Sequence, residues 1–117
     1  MHDFALASLA ALQFLYLTTT GRLSKQPRTI EIWFVYHQGK LYLNAERQYE
    51  AHWVRNILHE PCVRIRLGER EFDGRARVLA RPQDANLWQT VCEVSRQKYG
   101  WGEGLPVEIE PSATGKA

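Results

Sequence analysis

The sequence predicts a mainly β fold with flanking helices, in which six antiparallel strands close into a barrel. Three observations carry this prediction. Aromatic and β-branched residues recur with period two in short runs separated by turn residues. Only three stretches show helical spacing, and they stand beside hairpins without a βαβ rhythm. At 117 residues, with 44% hydrophobic and 24% charged positions, the chain (1–117) has the size and composition of one soluble domain with a real core.

The elements follow in order. Residues 3–12 form a short helix inside an apolar N-terminal segment, 1–13. This segment is too short to span a bilayer and lacks the basic start of a signal peptide. A cytoplasmic chain without a membrane span is therefore expected. FLYLTTT (14–20) is the first strand, interrupted by 21–27, and TIEIWFVY (29–36) is the second. Gln38-Gly39 makes a tight turn into LYLNA (41–45), setting Tyr36 opposite Leu41 and Phe34 opposite Leu43.

EAHWVRNILHE (50–60) switches to helical spacing, with Trp53, Val54, Ile57 and Leu58 as its apolar face and Pro61 as its stop. CVRIRLGEREFDGRARVLA (62–80) alternates as a hairpin turning at Gly68-Glu69. That register sets Ile65 against Phe72, Arg66 against Glu71 and Arg64 against Asp73, so Arg64 and Arg66 are read as structural. Pro82 opens a helix to Tyr99 whose face is Ala85, Trp88, Val91, Cys92, Ser95 and Tyr99. A glycine-rich loop (99–104), a last strand LPVEIE (105–110) and a flexible tail (111–117) complete the chain.

The charge and motif content excludes several functions. A net charge of +2 without a dense basic face argues against a nucleic-acid partner. Cys62 and Cys92 lie 30 apart without CxxC spacing, so neither a zinc site nor a disulfide framework is signalled, and they read as buried, reduced thiols. GxGxxG, GxxxxGKS, HExxH and GxSxG are all absent. His52 and His59 share one helix two turns apart with no third ligand, so they read as solvent-facing and no metal site is expected. No Ser, Cys or Lys has a base beside it, so no catalytic nucleophile is assigned.

One stretch stands out. TTTGRLSKQPRT (18–29) concentrates Arg22, Lys25 and Arg28 with Gly21, Pro27 and five hydroxyls. It reads either as a solvated hairpin loop or as an anion site, since arginine's fork matches phosphate or carboxylate oxygens and lysine supplies a movable charge.

LTTTGRLSKQPRTIEIWF resembles the deazaflavin-dependent nitroreductase family, whose members read LTTxGRxSGxPRxxPLW. The likeness continues through GKLYLNAE, AHWVRNILHEPCVRIRLG and FDGRARVL, over roughly residues 15–80. The resemblance implies a split β-barrel of the pyridoxamine phosphate oxidase-like kind, paired as a homodimer. It implies the coenzyme F-420, an 8-hydroxy-5-deazaflavin with a phosphate and polyglutamate tail, and hydride transfer to a quinone, nitro compound or activated alkene. Carried over by motif, Arg22, Ser24 and Arg28 hold the acidic groups; Lys25 stands where glycine is usual and joins them by charge alone. Asn44, Ala45, Glu46 and Arg47 end the third strand against the coenzyme, with Glu46 in place of a serine and a shortened loop at 48–50. Trp53 and Asn56 match the helix motif and read as helix–barrel contacts. Trp33, Tyr99 and Trp101 are placed as walls of a substrate pocket. The same fold leaves two alternatives, a flavin mononucleotide (FMN) reductase and a non-catalytic protein binding haem, flavin or lipid.

Overall fold

The computed structural model describes residues 6–112, beginning with a helical turn at 6–8 whose Leu6 is buried. The predicted helix before residue 6 and the predicted tail beyond 112 lie outside the described residues. Strands β1 (Phe14–Thr20), β2 (Pro27–Trp33), β3 (Val35–His37) and β4 (Lys40–Ala45) come first. A 3-10 turn (Gln48–Glu50) and helix α1 (His52–His59) follow, then β5 (Cys62–Leu67), β6 (Arg70–Val78), helix α2 (Ala85–Tyr99) and β7 (Leu105–Pro111). β7 thus runs into the predicted tail: Pro111 pairs with Gly74, and the Ser112 N–H donates to the Asp73 carbonyl.

The strands form one antiparallel sheet in the order β2-β1-β5-β6-β7-β4-β3. Its two edges, β2 and β3, are consecutive in the chain and joined by Phe34 alone. The predicted second strand is therefore one bent ribbon that leaves β1 at Trp33 and joins β4 at Val35. This bend curls the sheet on itself and raises the strand count from six to seven.

The bend has a clear cause. The Phe34 side chain is 1% exposed, driven into the core, and its backbone leaves the ladder. Groups so freed must find partners. The Phe34 N–H donates to the Tyr99 hydroxyl (3.0 Å), and Lys98 Nζ donates to the Phe34 carbonyl (3.0 Å). Tyr36 does oppose Leu41, but Phe34, standing at the bend, has no strand partner at Leu43.

The core fills the curl. Leu15, Leu17, Leu41, Leu43, Ile65, Leu67, Val107 and Ile109 are fully buried, each worth roughly 1.5–3 kcal/mol over an exposed position. Helix α1 adds Val54 and Ile57, while the predicted Leu58 is 58% exposed. Asn56 takes the buried place instead, because β1 offers it the hydroxyl of Thr19.

Helix α2 covers a smaller outer cluster of Val35, Tyr42 and Val91. It starts at Ala85 with Pro82 in the turn before it, so Ala85 is exposed rather than on the packed face.

The β5–β6 register is the predicted one. Arg64 binds both Asp73 (2.7 Å) and Glu71 (3.2 Å), whereas Arg66 lies over the Tyr16 ring at 4.4 Å. Contrary to expectation Cys62 is exposed, at the open start of β5. Cys92 is half-buried, and that burial raises its thiol pKa.

Candidate functional site

The site grows from the turn after β1. The Gly21 N–H donates to the Gln26 carbonyl, and the Lys25 N–H to the Gly21 carbonyl, both at 2.8 Å. A side chain at 21 would meet Ser24 Oγ at 2.5 Å, so glycine alone lets Ser24 fold back here. Ser24 Oγ then accepts from the Gln26 N–H (3.1 Å) and from Arg28 Nη2 (3.4 Å). Lys25 adopts φ 65, a left-handed conformation that favours glycine. Leu23 stands out at 87% exposure.

Helix α1 braces this turn through one buried carboxamide. Asn56 Oδ1 accepts from the Arg22 backbone N–H (3.1 Å) and from Arg22 Nη1 (2.9 Å), while its Nδ2 donates to Thr19 Oγ1 (3.1 Å). One turn earlier on the same face, His52 Nδ1 lies 3.4 Å from Arg22 Nη2. Arg22 is thus half committed to the fold. Arg28, with only its long contact to Ser24, is the freer cation.

These groups open onto a cleft of about 1310 Å³. Of the predicted site residues, Arg22, Ser24, Arg28, Trp33, Asn44, Ala45, Glu46, Arg47 and Trp101 line it. Lys25 and Tyr99 do not. Lys25 is exposed in the turn, and Tyr99 lies behind Trp33, stacked on it at 4.2 Å with planes 7° apart. His52, Trp53 and Asn56 also line the cleft, beyond the packing role expected of the helix. The signal was present in the sequence as a polar i, i+4 pair, His52 and Asn56, beside the apolar face.

The cleft has two unlike ends. Arg28 and Trp33, both lining the cleft, are five residues apart on β2, a backbone separation of about 16 Å. Glu46 and Glu50 also line the cleft, and Arg47 pairs loosely with Glu50 (3.8 Å). At the aromatic end the 101–104 loop lies flat on α2. A side chain at Gly102 would collide with the Cys92 carbonyl, and Ser95 Oγ donates to the Trp101 carbonyl (2.7 Å). Trp101 is held over the cleft by that contact. Near it, Asn44 Oδ1 is buried without a hydrogen-bond partner. Burial also pulls Lys98, behind this end, down to about 8. Among the described residues, no group of three or more His, Cys, Asp or Glu is placed to hold a metal ion.

The described cleft suits an elongated ligand, acidic at one end and planar at the other. Asn44's unpartnered atom and the pair of arginines both fit such a molecule.

Comparisons with known proteins place the chain in a family and a fold. The model of one family, F420H(2)-dependent quinone reductase, matches residues 6–110. The chain superposes on a Listeria innocua protein named after pyridoxamine 5′-phosphate oxidase, with TM-score 0.67 and 18% identity over 95% of this chain and 93% of that one. It superposes on HutZ, the heme storage protein of Vibrio cholerae, with TM-score 0.72 and 18% identity over 92% and 88%. An F420-H2 dependent reductase matches with TM-score 0.62 and 22% identity over 85% and 93%. At such identities these structures establish the split-barrel fold and nothing finer. No curated protein matches the sequence.

Proposed function

The chain belongs to the F420H(2)-dependent quinone reductase family, and from that premise we propose that it reduces a small organic acceptor with the deazaflavin coenzyme F-420. The observation that carries the proposal is the meeting of the Arg22/Arg28 turn with Trp33, Asn44 and Trp101 in one cleft. When bound, the reduced coenzyme supplies the hydride.

The protein's part is binding and placement. Arg28, with Arg22 braced behind it, binds the phosphate and tail carboxylates by charge-assisted hydrogen bonds. Ile30, Ile32 and Trp53 give the cleft an apolar wall that excludes water and strengthens the charges within it. Glu46 also lines the cleft, and its charge opposes any anionic group placed beside it. A quinone is the favoured acceptor, in keeping with the family's name; a nitro compound or activated alkene would enter the same opening.

The assembly proposed is a cytoplasmic homodimer. The outward face of β2 is largely exposed and Trp33 is 46% exposed beside it, surface that a twofold partner would cover. Among the described residues no helix is long and apolar enough to cross a membrane.

The test is a parallel titration of the purified protein with the deazaflavin coenzyme, FMN and haem, followed by turnover with a quinone. Tight binding of the deazaflavin and oxidation of its reduced form by the quinone are expected. Binding of FMN in its place would shift the reading to a flavin reductase. Binding of haem alone, or binding without turnover, would make the protein a carrier.

A further inference from the structure

Asn44 sits on β4 and lines both the large cleft and a small side pocket of about 20 Å³. Its Oδ1 is the one buried side-chain nitrogen or oxygen, among the described residues, without a hydrogen-bond partner. Such an atom carries an uncompensated desolvation cost until a water or a bound molecule donates to it.

The surrounding hydroxyls cannot satisfy it. Ser95 donates to the Trp101 carbonyl, Tyr42 donates to Glu108 (3.0 Å), and the Tyr99 proton serves the Gln13 or Phe34 carbonyl (2.7 and 2.8 Å). A donor then comes either from a molecule in the cleft or from a water in the side pocket. Trp33 and Trp101 flank that approach and favour a flat partner.

We propose that Asn44 is a specificity determinant, whose Oδ1 accepts a hydrogen bond from a ring N–H of a planar heterocycle bound at the aromatic end of the cleft. The inference rests on the reading of the site as a deazaflavin site, and it names what that reading leaves open. The pyrimidinedione edge of the ring system carries such an N–H; a porphyrin face or a lipid chain presents none. Asn44 thus selects the ring and the arginines select the acid. Both ends must be satisfied by one molecule about as long as the gap between Arg28 and Trp33.

The experiment compares wild type with Asn44→Leu, each titrated with the coenzyme and with its derivative methylated at that ring nitrogen. Wild type should bind the coenzyme roughly ten- to hundredfold more tightly than the methylated derivative, because a buried bond to a matched partner is lost. Asn44→Leu should bind both alike, at the weaker level. The variant should also melt above wild type without ligand, since it removes an unpaired buried oxygen, which shows that weak binding is not misfolding. If wild type binds both ligands equally, a water in the side pocket satisfies Asn44 and the inference fails while the deazaflavin reading stands. If wild type binds no deazaflavin, that reading falls and this inference with it.

Discussion

Asn56 holds Arg22 at two points, accepting from its backbone N–H at 3.1 Å and from its guanidinium at 2.9 Å. One buried carboxamide thus ties helix α1 to the loop that opens the cleft. Arg22 in that loop and Arg28 at the start of β2 are not equivalent, and this separates their expected behaviour.

Replacing Arg28 by Ala should weaken coenzyme binding roughly ten- to hundredfold, because a charge-assisted hydrogen bond is worth about 1.5–3 kcal/mol. Stability without ligand should hardly change, since Arg28 is exposed and makes one long contact. Lys at 28 should restore only part of the affinity, keeping charge without the fork. Replacing Arg22 or Asn56 should cost both affinity and stability. Asn56→Leu strands the Arg22 N–H and the Thr19 hydroxyl, at about 1–3 kcal/mol, readable by urea denaturation. An Arg28→Ala protein that binds normally but unfolds early would make the turn a brace and nothing more.

Lys25 carries φ 65 and lies off the cleft lining. Lys25→Gly should stabilise the protein by about 0.5–1 kcal/mol, the relief of left-handed strain less the entropy of a freer unfolded chain. Coenzyme affinity should move by less than about threefold, as expected for an exposed charge outside the contact. A tenfold loss on isothermal titration would place the lysine on the ligand after all.

Tyr99 separates wall from brace. Its hydroxyl accepts from the Phe34 N–H at the bend between β2 and β3, and its ring backs Trp33. Tyr99→Phe keeps the stack and strands that N–H, so a loss of about 1–3 kcal/mol in stability is expected with acceptor KM unchanged. A raised KM with normal stability would return Tyr99 to the substrate pocket.

Lys98 gives a pH signature. Its ammonium donates to the Ala10 (2.9 Å) and Phe34 (3.0 Å) carbonyls and lies over the Phe34 ring, yet burial lowers its pKa from 10.5 to about 8. Between those values the unfolded chain binds more protons than the folded one, so this group's contribution to stability rises with pH from about 8 to 10.5. Cys92 and Tyr99, whose pKa values are raised, act in the opposite sense at the upper end of this range. The comparison with Lys98→Met removes them. Wild type should gain on the variant as pH rises through that window, measured by urea denaturation at constant ionic strength. A constant difference would mean that the two carbonyls hold the proton as firmly as water does.

What could be read from the sequence was whatever depends on near neighbours in the chain. Period-two alternation gave the β5–β6 register residue by residue, and Gln38-Gly39 gave the β3–β4 turn, because pairing across a short hairpin is a local matter. The clustering of Arg22, Ser24 and Arg28 was legible for the same reason, as was the family likeness they carry. The tertiary structure decided what depends on distant partners. TIEIWFVY carries no local mark of a break at Phe34; the bend exists because Tyr99 and Lys98, some sixty residues on, take up the freed backbone groups. Asn56 became a brace because Thr19 and Arg22 came to meet it, and Leu58 was left in water as a result. Asn44 reads as one more polar residue in a strand until the fold spends every hydroxyl around it elsewhere. Hydrogen-bond satisfaction is a property of the whole assembled chain, and no window of sequence contains it.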